Sequence, residues 1–367
     1  MNYTISVVIP AYNRAHVIGR CLTSLFQCAE CRYSEIIIVD DGSSDNLEEV
    51  VTQWMKVHPG KIIYLKQPKN GGVSRTRNRA LPYLTGDYVW FVDSDDVVFE
   101  NGLNRVLRYL DVAHPDIYRF AWCRIRDGET ICPEAKENLD LPPVLFDVQN
   151  CSCEILKRID KISQLWNAVY RRDILDGIEF LPGLANGEDV LYSRTAFVRA
   201  RTVMVDESNI VYGYTMTEGS ASSVPTNRMF RGCVRCSCEL AKLYSNAALF
   251  DLRWRPLALA YVWSFYPRLL CYIGDDAFRG DRLPFIQTAF YRIFVSNKVR
   301  SLCSRMLALS VWKIGTKRAF LFYYRLYIIF TLLFTTTGQR KIVSRFVKTA
   351  KAYLGTIDHK RMKKEMA

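Results

Sequence analysis

Three carboxylates stand within four residues at the end of an apolar run. The stretch GDYVWFVDSDDV, residues 86–97, places Asp93, Asp95 and Asp96 directly after Tyr88, Val89, Trp90, Phe91 and Val92. A second acidic pair, Asp40 and Asp41, closes EIIIVDDG at 35–42, and a third, Glu188 and Asp189, lies in GEDVLYS at 187–193. Like charges crowded at the mouth of a buried strand are costly unless something offsets them. Carboxylate oxygens suit Mg2+ or Mn2+, and Mg2+ commonly uses one or two carboxylates together with substrate phosphates. The first two clusters therefore read as a metal–diphosphate site. The plain alternative is a solvated Asp-rich turn that caps the next helix. The third pair sets two carboxylates side by side, which tends to raise the pKa of one of them. The plain reading of the pair is acidic charge favouring a helix N-terminus.

The elements that position these groups alternate. Residues 5–11 and 35–42 are near-continuous apolar runs, the pattern of strands buried on both faces. KIIYLKQ (61–67) and DYVWFVDS (87–94) give a third and a fourth strand. Helical spacing appears at 15–27, at 43–57 behind Ser and Asp caps, at 71–84 behind Gly71-Gly72, and at 101–112. This repetition implies a mostly parallel, doubly wound α/β sheet, in which ligands sit beyond the carboxyl ends of the strands. Further on, 162–175 and 187–200 read as helices and 202–215 as a strand, with irregular chain over 125–160. From about Pro225 the pattern turns helical and aromatic-rich. The expected organisation is a catalytic domain over 1–224 and a helical, basic region over 225–367.

In this order and spacing, SVVIPAYNRAHVIGRCLTSLF, EIIIVDDGSSD, NGGVSRTRNRAL, GDYVWFVDSDD and NGEDVLYS resemble the motifs of family 2 glycosyltransferases, over roughly residues 3–215. The resemblance implies a GT-A nucleotide-sugar-binding fold and an inverting transfer, of hexosyltransferase type, in bacterial surface polysaccharide assembly. It implies that Pro10, Ala11 and Tyr12 line the nucleotide pocket, and that Asp41 accepts a hydrogen bond from the base, which favours a UDP-linked donor. Arg77 would lie near the donor, Asp93 and Ser94 beside the nucleotide-sugar, and Asp95 would be the principal metal ligand for Mn2+ or Mg2+. Asp189 would be the base, with Glu188 helping to position a saccharide or lipid-linked acceptor. Thr76 stands where the family often has Ala. Thr215 follows Tyr214 where many relatives have His or Arg, so a diphosphate contact is either missing or supplied near Ser220–Ser223. No Gln-x-x-Arg-Trp follows Asp189; FDLRW at 250–254 has Phe in its place, which implies transfer of a single sugar.

Other classes fit less well. A nucleotidyltransferase on a related sheet would want a Gly-rich basic loop after the first strand, where AYNRAHVIG has one arginine. A degenerate, membrane-bound scaffold is at odds with intact Asp95 and Asp189. Neither a P-loop nor a Rossmann G-x-G-x-x-G is present, and the cysteines show no zinc-finger spacing. The opening MNYTISVVIP reads as a strand rather than a secretory leader, so reduced thiols and a cytoplasmic location are expected.

Charge is segregated along the chain. Residues 290–367 hold 17 Lys/Arg and 2 Asp/Glu, a net of +15, which leaves the first 289 residues at −2. AFLFYYRLYIIFTLLF (319–334) has a single charge, Arg325, but falls short of the roughly 20 residues that span a bilayer. An apolar, aromatic segment flanked by cations suits the surface of an anionic membrane; a packed core helix is the alternative. Nucleic acid is not expected, since no basic module with interleaved stacking aromatics is legible.

Overall fold

The computed structural model describes residues 2–216, apart from 29–31, 127–128, 132–140, 162–163 and 185, and a set of residues between 232 and 257. All lie in the first of two compact units, Met1–Asp276; the second, Ala277–Ala367, falls outside the described residues, as do 319–334 and Ser220–Ser223. Among the described residues no helix is long and apolar enough to cross a membrane.

The first half is a βαβ succession: β1 (Ile5–Ala11), α1 (Ile18–Phe26), β2 (Tyr33–Asp40), α2 (Leu47–Val57), β3 (Ile62–Lys66), α3 (Val73–Ala80) and β4 (Tyr88–Phe91). After it come β5 (Val97–Val98), α4 (Glu100–Ala113), β6 (Ile117–Arg126), β7 (Glu129–Ile131), β8 (Val144–Asp147), α5 (Cys153–Lys161), β9 (Ala168–Arg171), α6 (Glu188–Arg199) and β10 (Thr202–Thr215). One sheet runs in the order β3-β2-β1-β4-β9-β6-β10-β5, with β7 on β6 and β8 on β10. Strands β1 to β4 pair in parallel, and β6 pairs in parallel with β10. The chain winds from β1 out to β3, then returns to place β4 on the other side of β1. Strand order reverses there, and the reversal opens a crevice at the carboxyl ends.

The expected helix over 162–175 is instead a strand followed by a 3-10 turn (Arg172–Leu175). β9 inserts antiparallel between β4 and β6. Its residues divide between the two cores: Ala168 and Tyr170 join one face of the sheet and Val169 the other. Buried on both sides, it lacks the period-2 alternation that would have marked it as a strand.

The core on the α6 side gathers Phe91, Tyr170, Phe180, Tyr192 and Phe197, and reaches Leu240, Tyr244, Trp254 and Leu257. Trp254 of FDLRW is buried in it and stacked on Tyr244, while Arg253 pairs with Asp251 and donates to the Cys151 carbonyl.

Candidate active site

The carboxyl ends of β1, β2 and β4 bring together most of the residues singled out by their chemistry. Pro10 and Ala11 end β1, and Tyr12 follows, 44% exposed. Asp40 is buried and spent on structure: it accepts from the Ser43 amide at 2.7 Å and from the Tyr64 hydroxyl at 2.6 Å. Asp41 is also buried, and its carboxylate clamps the start of α3. The amides of Gly71 and Gly72 donate to its two oxygens at 2.7 and 2.9 Å, and Gln67 Nε2 adds a third bond at 3.0 Å. Asp41 thus fixes the loop that delivers Arg77.

Arg77 is the hub. Its guanidinium donates to Asp93 at 3.1 Å and to Glu188 at 3.0 Å, and lies 5.4 Å from the centre of the Phe180 ring. Asn78, the next residue on α3, holds Phe180 in place through both backbone groups, at 2.8 and 2.7 Å. Burial works against the Arg77 charge, but Asp93, Glu188 and Asp189 outweigh it and raise its pKa. Asp93 and Glu188 are pushed up: burial raises both, neighbouring carboxylates add, and Arg77 opposes.

The three carboxylates after β4 have separate fates. Asp93 belongs to Arg77, and its amide donates to the Tyr212 hydroxyl at 3.0 Å. Asp96 is buried, accepting from the Tyr212 hydroxyl and from the Thr215 amide, each at 2.7 Å. Burial, with Asp93 next, pushes its carboxyl up to about 8. Ser94 is buried between them in sequence. Asp95 alone presents a carboxylate with no hydrogen bond among the described residues; Arg14 Nε approaches it at 3.7 Å. The crowding that sequence alone ascribed to three unpaired anions is therefore largely relieved by Arg77, Tyr212 and the Thr215 amide.

Asp189 reaches the same place from α6. Gly187, at φ +87°, turns the chain into that helix, and Glu188 and Asp189 form its first turn. The Asp189 carboxylate makes no hydrogen bond or ion pair among the described residues, yet its charge acts on Arg77, Asp93 and Glu188. The pair 188–189 is thus divided: Glu188 is bound to Arg77, and Asp189 is left open.

Two arginines at this edge were missed from sequence. Arg20 reaches the Asp95 carbonyl at 2.8 Å and Thr215 Oγ1 at 3.0 Å, and Arg14 lies beside the Asp95 side chain. Both belong to AYNRAHVIGR, where their polar position between β1 and the buried face of α1 is the one available signal.

The family model described as Glycosyl transferase family 2 matches residues 6–176. The chain is 31% identical over 231 residues to the uncharacterized glycosyltransferase YibD of Escherichia coli (strain K12), covering 60% of this chain and 64% of that protein. It is 26% identical over 253 residues to the glycosyltransferase GlyA of Streptococcus pneumoniae, covering 66% and 35%. The chain thus spans from about a third to just under two thirds of the length of these curated relatives. A crystal structure of S. aureus TarS 1–349 in complex with UDP-GlcNAc superimposes with a TM-score of 0.61 at 20% identity, covering 88% of this chain and 89% of that one. With the βαβ sheet and its switch point in place, the chain has the GT-A fold, and over residues 6–176 it is similar to glycosyl transferase family 2.

Proposed function

We propose that the chain transfers one sugar, with inversion, from a nucleoside diphosphate sugar to a saccharide or lipid-linked acceptor in surface polysaccharide assembly. The observation that carries this reading is the open carboxylate of Asp189 beside the Arg77 bridge that joins Asp93 to Glu188. A base must be free to accept a proton, and Asp189 is the member of its pair that no donor among the described residues occupies. It takes the proton from the attacking hydroxyl. Arg77 and Glu188 hold the edge around it in one geometry. Pro10, Ala11, Tyr12 and Asp41 border the nucleotide, with Asp93 near the ribose and Ser94 beside the nucleotide-sugar. Relatives support the donor class: TarS was crystallised with UDP-GlcNAc and with UDP, which favours UDP here. Other relatives are described as a poly(ribitol-phosphate) beta-glucosyltransferase and a poly(ribitol-phosphate) beta-N-acetylglucosaminyltransferase, which supports a surface-polymer acceptor.

The residues fit a divalent cation of one kind. Among the described residues no three His, Cys, Asp or Glu side chains gather to hold a metal by themselves. Asp95, open and beside the edge, fits the mode in which Mg2+ or Mn2+ takes one or two carboxylates and completes its shell with diphosphate oxygens and water. Bound there, the metal would offset charge on the departing nucleoside diphosphate. The chain's own cations, Arg14 and Arg20, lie on the same side and would contribute to holding the diphosphate. Calorimetric titration of UDP with and without Mn2+ tests this. Wild type should bind UDP more tightly with Mn2+, and Asp95→Ala should lose that increment. An unchanged increment in the variant would remove Asp95 from the metal site.

The region over 225–367 we read as the helical, basic part, in which 290–367 and the apolar 319–334 would hold the protein on the inner face of an anionic membrane, close to a lipid-linked acceptor.

A further inference from the structure

Beside the acidic turn, on the β6–β10 side, lies a group of aromatic rings that the reaction described above does not use. Trp166, in the loop before β9, stacks on Tyr212 at 4.8 Å and 21° and on Tyr214 at 5.9 Å and 21°. Trp122, on β6, meets Trp166 edge-on at 5.1 Å and 88° and Tyr214 at 6.2 Å and 75°. The register explains the gathering. Tyr212 pairs with Trp122 and Tyr214 with Arg124, so alternate residues of both strands share one face at their carboxyl ends. The cluster is fixed from below: Trp90 Nε1 donates to the Trp166 carbonyl at 2.8 Å, and Tyr212 is fully buried. Trp122, Trp166 and Tyr214 remain partly exposed. Among the described residues their indole N–H groups and the Tyr214 hydroxyl make no hydrogen bond to protein, and the Arg124 guanidinium lies 6.0 Å from the Trp122 ring centre.

Three rigid rings, three open polar edges and one cation meet the general description of a ligand site: apolar walls with a few convergent polar groups. Large aromatics bury much area and normally find partners for their polar tips, so leaving three of them half-exposed together is costly unless a ligand covers them. The platform is joined to the reacting edge. The Tyr212 hydroxyl contacts Asp96 and the Asp93 amide, and Thr215, one residue beyond Tyr214, donates its amide to Asp96.

Position separates the ligand from the nucleotide. In sheet order, the residues proposed for the nucleotide end β1 and β2, the carboxylates follow β4, and the platform lies beyond them on β6 and β10. A pyranose ring has the matching chemistry: a face of C–H bonds that lies flat on an aromatic ring, and hydroxyls around its rim that meet N–H and O–H groups. We propose that Trp122, Trp166 and Tyr214 form a subsite that stacks a pyranose ring of the acceptor saccharide. This rests on the glycosyltransferase reading and names the acceptor side of that same site.

The probes are methyl pyranosides of glucose, galactose, mannose and N-acetylglucosamine, each titrated at up to tens of millimolar into the full chain with UDP present. Binding is followed by tryptophan fluorescence and by saturation transfer to the sugar protons. At least one should bind. Trp122→Ala should weaken that binding about tenfold, the equivalent of ~1.4 kcal/mol, while Trp122→Phe, which keeps a ring face, should retain most of it. Circular dichroism and a thermal melt establish that each variant is folded; where Trp122→Ala is not, Tyr214→Ala replaces it. No binding by any of the four to wild type, or equal binding by the folded alanine variant, overturns the platform. A variant that loses affinity for UDP-linked sugar relative to UDP would assign the rings to the donor and also overturn it. Donor hydrolysis by wild type is measured separately: its absence alongside intact pyranoside binding would count against the transferase reading and leave the platform standing.

Discussion

Arg77 lies between Asp93 and Glu188 with its own charge buried. Such pairs contribute little net stability, but removing one partner strands the others and costs about 3–5 kcal/mol. That asymmetry explains why an arginine inside α3 can organise an edge made largely of acids. Asp96 behaves differently, because among the described residues it has no ion-pair partner and its bonds come from the Tyr212 hydroxyl and the Thr215 amide. Burial and Asp93 push its carboxyl from 3.8 up to about 8. Between those values the folded chain holds a proton that the unfolded chain has released. Its contribution to stability is therefore complete below the unfolded value and is lost as the pH rises through the folded one. Asp93 and Glu188 are raised in the same direction. Asp96→Asn retains an acceptor for the Thr215 amide and removes the titration. Between pH 3.8 and about 8, without metal or nucleotide, the thermal midpoint of this variant should fall less steeply than that of wild type; equal slopes would contradict the assignment. The carboxylates themselves were legible in sequence because they interrupt apolar runs. Their partners were not, since Arg77, Tyr212 and Thr215 come from distant strands and helices. Arg20 was invisible for the same reason: a lone arginine on a helix gives no sign that it reaches Thr215 on β10.

Helix α6 shows what an element adds to a motif. GEDVLYS gives the two acids; only the turn before the helix decides which of them stays open. Gly187 takes a left-handed conformation, and a Cβ there would meet Cys236 Sγ at 2.7 Å and Cys236 Cβ at 2.9 Å. Both the backbone and the contact therefore demand glycine. Gly187→Ala is expected to destabilise the chain by about 1–3 kcal/mol through strain and overpacking. It should also lower turnover more than nucleotide affinity, since Asp189 moves and the β1–β2 end does not. Stability within a few tenths of wild type, or an equal loss of both, would show that the turn is not what places the base. The first half of the sheet was readable because parallel strands buried on both faces are continuous apolar runs. β9 was not: its four residues share that character with a buried helix segment, and its antiparallel place between β4 and β6 is a tertiary fact. β6 escaped notice too: Ile117, Tyr118 and Phe120 at its start lie in the core, but the buried Arg119 interrupts the apolar run.

At the scale of the molecule, the carboxyl ends of one sheet collect the described residues proposed for the chemistry. The strands between β2 and β10 carry, in spatial order, the residues proposed for the nucleotide, the carboxylates and the aromatic platform. The charge of the chain is elsewhere, at +15 over residues 290–367. Each Lys or Arg near an anionic surface adds about 1 kcal/mol of attraction, screened by salt. Full-length protein should therefore co-sediment with anionic vesicles, weakly with neutral ones, and be released only in part by high salt, because apolar insertion of 319–334 is not screened. Equal binding to neutral vesicles, or none to either, would refute that role. Inversion with Asp189 as base is tested most directly by proton NMR of slow donor hydrolysis, since water can stand in for the acceptor. Given an α-linked UDP-hexose and Mn2+, wild type is expected to release the β-anomer first. Asp189→Asn should slow this release about 10²–10⁴-fold while still binding UDP. Release of the α-anomer first, or a variant rate above about a tenth of wild type, would contradict it.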